Sequence, residues 1–400
     1  MSNRRRTVAP PGLALPVSRR SFLRGSSMGA LTLAGGGLLS ACGVDSATQT
    51  EASCSSEDLS SSEQVVNWSN WPAYIDPTKQ ADSTLGAFMS RTGIEVDYVD
   101  DVNDNADFYA KVRNQLGACE PTGRDMFTLT DWMAAKMINL GWIQQLDKSN
   151  LPNVRANLLE NLRSPSWDPD RSYSVPWQSG LTGIAYNADE VSEVGSFEDL
   201  ITRSDLEGRI SLLSEYQDTM IFMLLLVGAN PEDFTDDEWG SALERLEQVK
   251  DSGQVRAFTG NEYRQDLAQG NIVACEAWSG DVIQLQFDNP AIKFVAPEEG
   301  LALWSDNSLV PNKATHKTNA EMLMDYYYDP TVAAELAAWV NYICPVQGAQ
   351  DAMTKVAPSL ADNVLIFPDD ALLANTHDFM ALGVEQEEQY QSDFARVIGA

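Results

Sequence analysis

Residues 83–99 read STLGAFMSRTGIEVDYV, and residues 125–141 read DMFTLTDWMAAKMINLG. The first stretch predicts a helix over 83–91 stopped by Gly93, then a strand over 94–99. The second predicts a strand over 125–128 and a helix over 132–140 ended by Gly141. Between them, residues 107–116 read as another helix, stopped near Gly117. Strand and helix alternating in this way predict a layered α/β fold on a mainly parallel sheet.

The second half repeats the pattern. Strands are expected over 183–186, 209–213, 272–278 and 292–295. Residues 216–227 form a strongly apolar helix, and 236–249 an amphipathic one capped at Thr235 or Asp236. Further helices are expected over 320–328 and 331–340. About 337 residues after position 63 exceed one ordinary core, so two lobes with a cleft between them are expected.

The N-terminus reads as an address. Residues 4–24 hold six arginines and no acid, and Ser18-Arg19-Arg20-Ser21-Phe22-Leu23 looks like a twin-arginine export signal. The small, Gly-rich apolar run over 28–41 falls short of the roughly 20 residues a membrane-spanning helix needs. It ends in Leu39-Ser40-Ala41-Cys42, which resembles a lipobox, so residues 1–41 are expected to be removed and Cys42 lipidated. The chain is then exported and held by lipid to the outer face of the cell membrane. Residues 42–63, rich in Ser, Thr, Glu and Asp, are expected to be a flexible tether. An even number of cysteines beyond Cys42 permits disulfides outside the cytoplasm, but the pairing of Cys54, Cys119, Cys275 and Cys344 is open. Their spacing matches no zinc pattern, and no metal or cofactor is expected.

Losing six of the 27 basic residues leaves 21 against 58 acidic ones, a net charge of −37. Nucleic acid is excluded as a partner, because phosphate neutralisation needs Lys and Arg. A small cation is favoured by long-range attraction, although a solvated acidic surface has the same composition.

At Asn70-Trp71-Pro72-Ala73-Tyr74 the chain begins to resemble the periplasmic spermidine/putrescine-binding proteins. The likeness continues through residues 125–132, Tyr173-Ser174-Val175-Pro176-Trp177, residues 208–218, Trp278-Ser279-Gly280-Asp281 and Trp304-Ser305-Asp306 before Pro311. Six short motifs in register cover most of residues 65–350. The resemblance implies a two-lobed periplasmic-binding-protein fold of type II with an interdomain ligand cleft. It implies one lobe of residues 64–180 plus 281–312 and another of 181–280 plus 313–400. It also implies delivery of a polyamine to the membrane permease subunits of an ABC importer. The ligand contacts it implies are Trp71, Tyr74, Thr130, Trp132, Glu215, Asp218, Trp278, Asp281, Trp304 and Asp306, with Tyr263 and Gln347 as looser matches.

These residue types suit a polyamine. Carboxylates make charge-assisted hydrogen bonds to ammonium groups, and aromatic faces attract cations while covering methylene chain. Each residue also has a plain structural role: the aromatics as core, Glu215 and Asp218 as acids at a helix N-terminus, Thr130 as a helix N-cap. Asp281, after an apolar strand and a Trp-Ser-Gly turn, is expected to need a cationic partner, so Asp281→Asn should weaken binding more than Glu215→Gln. One departure stands out. The resemblance places an acid just before Tyr74, and here that position is Ala73.

Two other functions use similar parts: a same-fold binder of another small solute such as a sugar, and a secreted glycan hydrolase with paired carboxylates. The chain has only two histidines, His316 and His377, both expected at surface turns or helix ends, and no nucleophile elbow or His-Glu-x-x-His pair. The protein is expected not to be an enzyme.

Overall fold

The computed structural model describes Cys54 and residues 56–400 except 79, 81 and 82. The export signal and Cys42 lie outside the described residues.

Ten strands form one sheet: β1 (Val65–Ser69), β2 (Glu95–Val99), β3 (Met126–Thr130), β4 (Ser174–Asn187), β5 (Ile210–Leu213), β6 (Val255–Thr259), β7 (Ala274–Trp278), β8 (Ile292–Val295), β9 (Leu301–Leu309) and β10 (Thr376–His377). The main order is β2-β1-β3-β9-β4-β7-β5-β6, with β10 beside β9 and β8 beside β4. Parallel pairs build each flank, β2-β1-β3 and β7-β5-β6. The centre is antiparallel, because β9 pairs with β3 and β4, and β4 with β7. The sheet is therefore mixed rather than mainly parallel. Strand β4 runs 14 residues, all buried but the last, and replaces the short strand expected over 183–186.

On the first flank lie α1 (Thr84–Thr92), α2 (Asn105–Gly117), α3 (Asp131–Asn139) and α4 (Pro152–Asn157). The second carries α5 (Phe197–Thr202), α6 (Tyr216–Leu226), α7 (Asp236–Asp251) and α8 (Tyr263–Gln269), and α9 (Ser279–Asp288) lies at the junction, against β4, β7, β8 and α8. Then follow α10 (Lys317–Tyr326), α11 (Pro330–Val340), α12 (Ala349–Val356), α13 (Asp370–Leu373) and α14 (Val384–Ile398). Local caps set several boundaries: Ser83 and Asp104 accept backbone N–H bonds at the starts of α1 and α2, and Thr235 with Glu238 forms a reciprocal box on α7. No helix among the described residues is long and apolar enough to cross a membrane.

Trp68 anchors the first flank. It is fully buried, donates to Thr128 Oγ1 at 2.9 Å, and meets Trp177 and Tyr98 edge-on at 4.9 and 5.0 Å. Tyr327 closes this cluster, and the Tyr328 hydroxyl donates to the Pro176 carbonyl at 2.7 Å. Helix α10 packs against β1 and α4, and α11 against both α1 and α9. Helix α14 packs on α6 and α7.

The described part of the expected tether is docked. Cys54 is disulfide-bonded to Cys119, and Cys275 and Cys344 are buried free thiols. Asp58 accepts from the Thr318 N–H at 3.1 Å, and Ser60 Oγ accepts from Asn319 N at 3.1 Å. His316 stands at a helix end, the start of α10, and is buried there; its ring nitrogens lie 2.9 Å from Glu63 and 3.0 Å from Asp125. Burial opposes the charged ring, but the bonds to Glu63 and Asp125 outweigh it and raise the pKa. Stability from charged His316 is complete below the ordinary histidine range and lost as pH rises through the raised folded value. The urea midpoint should exceed that of His316→Gln at about pH 6, and the gap should narrow by about pH 8. A gap that does not change with pH would remove the charged ring from this account.

Candidate functional site

The C-terminal ends of strands from both flanks face one slot. It is lined by Trp71, Pro72, Tyr74, Thr130, Glu215, Asp218, Asn261, Trp278, Asp281, Trp304, Asp306 and Tyr342. About 360 Å³ is free of atoms, but only about 30 Å³ admits the centre of a water molecule, so the space is narrow.

Aromatic rings form a continuous wall. Trp71 meets Trp278 at 5.8 Å, Trp278 meets Trp304 at 6.2 Å, Trp304 meets Tyr342 at 5.6 Å, and Tyr342 meets Tyr74 at 4.9 Å. Two glycines admit this wall. A Cβ on Gly180 would fall 2.2 Å from the Trp304 ring, and one on Gly280 2.5 Å from the Tyr342 ring.

Four buried carboxylates project into the same space. Glu215, the extended N-cap residue of α6, and Asp218, in its first turn, both line the slot. Glu215 Oε1 accepts from the Asn105 backbone N–H at 2.6 Å and its side-chain amide at 2.9 Å. Asp218 Oδ1 accepts from the Thr182 hydroxyl and from Trp278 Nε1 at 3.3 Å. Asp306 Oδ1 accepts from Thr130 Oγ1 at 2.8 Å, and the Tyr74 hydroxyl sits beside Asp306 outside hydrogen-bonding geometry. Thr130 occupies the N-cap of α3 but makes no side-chain cap there; its hydroxyl serves Asp306 instead.

Asp281 differs from the other three. It sits in the first turn of α9 rather than in an open turn. Tyr342 donates to its Oδ1 at 2.8 Å, Asn261 and Tyr263 to its Oδ2 at 2.9 Å, and Arg264 lies 3.6 Å away. The partner expected of Asp281 is thus supplied from within the chain. Among the described residues no cation pairs with Glu215, Asp218 or Asp306.

Burial raises all three. Desolvation lifts Glu215 well above its usual range, with Asp104 adding to the effect, and lifts Asp218 to about 6. Asp306 is pushed up to about 7, mainly by desolvation, against the bond from Thr130. Taking several acids out of water without counter-charges is costly, and a bound cation would offset that cost.

Three expected contacts lie elsewhere. Tyr263 stands behind the wall, donating to Asp281 and accepting from the Trp278 backbone N–H at 3.0 Å, and does not line the slot. Trp132 packs edge-on against Tyr216 at 5.0 Å and lines a neighbouring cavity. Gln347 is exposed, with its backbone N–H on the Asn157 carbonyl. The sequence reasoning passed over Pro72, Asn261 and Tyr342. Tyr342 follows Asn341, whose left-handed conformation (φ 59°) ends α11 and turns the chain back; a helix-stopping Asn before an aromatic was the available signal.

The model of the family described as bacterial extracellular solute-binding protein matches residues 83–368. The spermidine/putrescine-binding periplasmic protein of Escherichia coli K12 is 26% identical over 327 residues, 80% of this chain and 89% of that one. The putrescine/agmatine-binding protein of Pseudomonas aeruginosa is 27% identical over 353 residues, covering 83% and 91%. Among solved structures, a putative spermidine/putrescine ABC transporter protein from Listeria monocytogenes superposes with a TM-score of 0.73 at 25% identity, covering 84% of this chain and 99% of that one.

A carboxyl raised above its unfolded value stabilises the fold while protonated; that contribution is full below about pH 4 and is lost as pH rises through the folded value. Without ligand, Asp306→Asn should therefore melt above the parent by a few degrees at about pH 8, with the difference shrinking toward about pH 5. A difference that grows toward acid pH would contradict the burial of an ionisable Asp306.

Proposed function

The chain belongs to the bacterial extracellular solute-binding proteins, and from that premise we propose that it captures a linear polyamine of the putrescine/spermidine class for an ABC importer. The observation that carries this is a slot walled by aromatic rings in which three of four buried carboxylates have no cationic partner. Ammonium groups at Glu215, Asp218 and Asp306 would supply the missing charge. The rings of Trp71, Trp278 and Trp304 would cover the intervening methylenes, at about 0.8 kcal/mol per buried CH₂. The names of the relatives from Escherichia coli and Pseudomonas aeruginosa support the same class. The family is one of binding proteins for transport, not of enzymes.

Two lobes closing on the ligand fit this role. The first would comprise residues 64–180 and 281–312 together with α10 and α11, whose Tyr327 and Tyr328 pack on Trp177 and Pro176. The second would comprise residues 181–280 with α14. Export through the Arg19-Arg20 signal and lipid attachment at Cys42 would place the protein outside the membrane, beside its permease subunits. With Ala73 where the resemblance places an acid, the terminal amine would rely on Asp306 and Asp218.

Calorimetric titration of residues 43–400 with putrescine, spermidine and spermine should give saturable binding at micromolar levels or tighter, about −8 kcal/mol. Asp306→Asn should raise the Kd roughly 10- to 150-fold, the loss of one bond to a charged group. Asp281→Asn should lower thermal stability as well as affinity, because it leaves half-buried Arg264 without its carboxylate. Flat titrations with all three amines, or heat released by neutral sugars instead, would overturn the polyamine assignment.

A further inference from the structure

Beside the slot, residues 103–105 make one of the contacts between the two flanks, alongside Trp71 on Trp278 and Trp132 on Tyr216. Residues 103–105 follow β2 and open α2 on the first flank. They meet Ser214 and Glu215 at the end of β5, and residues 260–262 between β6 and α8, all on the second flank. Ser214 Oγ donates to Asp104 Oδ2 at 2.7 Å, and Asn105 donates twice to Glu215 Oε1. Asn103 Nδ2 donates to Glu262 Oε1 at 2.9 Å, and its Oδ1 accepts from the Asn261 backbone N–H at 3.3 Å. The fit at Gly260 is tight: a Cβ there would lie 2.3 Å from the Asn103 carbonyl oxygen and 2.7 Å from its side-chain nitrogen. Asn105 also reaches the slot, donating to Thr130 Oγ1 at 2.8 Å.

This contact sets two acids side by side. Asp104 and Glu215 are both buried, and a charge on Asp104 raises the cost of ionising Glu215. No cation among the described residues pairs with either. Asp104 does not line the slot; it lines a second cavity of about 550 Å³, which Glu215 also borders. The segment thus forms part of the partition between slot and outer cavity.

We propose that residues 103–105 are a latch between the lobes, in which Asn103 and Asn105 hold the closed arrangement and Asp104, facing Glu215, makes that hold conditional on a cation reaching Glu215. Asp104 and Asn105 are positioning residues, acting on the ligand through Glu215 and Thr130. The proposal rests on the slot being a cation site between two lobes, and its mechanism is electrostatic. Without a cation, closure brings two carboxylates together; with one, Glu215 is neutralised and the hydrogen bonds across the contact are free to hold.

Two variants outside the slot separate the parts of this mechanism. Gly260→Ala should obstruct the contact sterically, and Asp104→Asn should remove the repulsion while keeping a helix-capping oxygen on α2. Amide exchange is read first without ligand, at Asn105 and Asn261, with Val66 and Leu212 reporting the sheet on each flank. Gly260→Ala should accelerate exchange at Asn105 and Asn261 about tenfold or more, leaving Val66 and Leu212 unchanged. Asp104→Asn should slow exchange at the same two amides. With putrescine or spermidine bound, Gly260→Ala should release ligand about tenfold faster at an unchanged association rate. Unchanged exchange in Gly260→Ala, or acceleration spreading to Val66 and Leu212, would overturn the latch. Acceleration in Asp104→Asn would overturn the conditional role of its charge, leaving a helix cap. Should the parent bind neither amine, the polyamine assignment fails by itself, and the exchange measurements still decide the latch.

Discussion

Burying a carboxylate is the costly step around which this molecule is arranged. Glu215 with Asp218, Asp281 and Asp306 come from three places in the sequence, and each acid needs donors delivered from another element. The donors are local products of the fold: the start of α2 for Glu215, a β4 threonine for Asp218, and the end of β3 for Asp306. Only Asp281 also has a guanidinium beside it. The imbalance is deliberate in its consequences. A site with full internal neutralisation would hold its shape without a ligand, whereas this one keeps a deficit of positive charge beside the aromatic wall.

Much of the sheet was legible because local signals decide it. Gly93, Gly141, Ser83 and the Thr235–Glu238 box mark helix ends independently of what packs on them, so predicted and observed boundaries agree within about three residues. Strand direction was not legible, because the antiparallel centre depends on where β9 returns, more than 100 residues after β4 begins. Strand β4 was read short for a related reason. Its first half, SVPWQSG, contains Pro176 and Gly180, which argue against a central strand unless a bulge relieves them, as one does between Pro176 and Ser179. Composition also misled at residues 56–63: Ser, Asp and Glu imply a solvated chain, yet here Asp58, Ser60 and Glu63 are hydrogen-bond partners of the start of α10.

The acids of the slot were visible as motifs in register, but their pairing was not. Arg264 lies 17 residues before Asp281, and nothing in that spacing announces an ion pair. Tyr342 and Asn261 escaped for the same reason, since each reaches the slot through a turn at the end of its own element. His316 follows the same rule. Its place at a helix end is legible, but its burial between two carboxylates that sequence places 62 residues apart is not.

Strand β4 belongs to both flanks, paired with β9 over 174–182 and with β7 over 182–186. Rotation of one flank against the other is therefore torsion of a hydrogen-bonded ribbon and not swivelling about a loose joint. Such a ribbon resists in proportion to its deformation and returns when released, and two-stranded ribbons tolerate the largest twists of any sheet. With that strand beside the bulge, a turn of one flank against the other would have a preferred axis and a restoring torque, so that emptying the slot and reopening it would be mechanically one event.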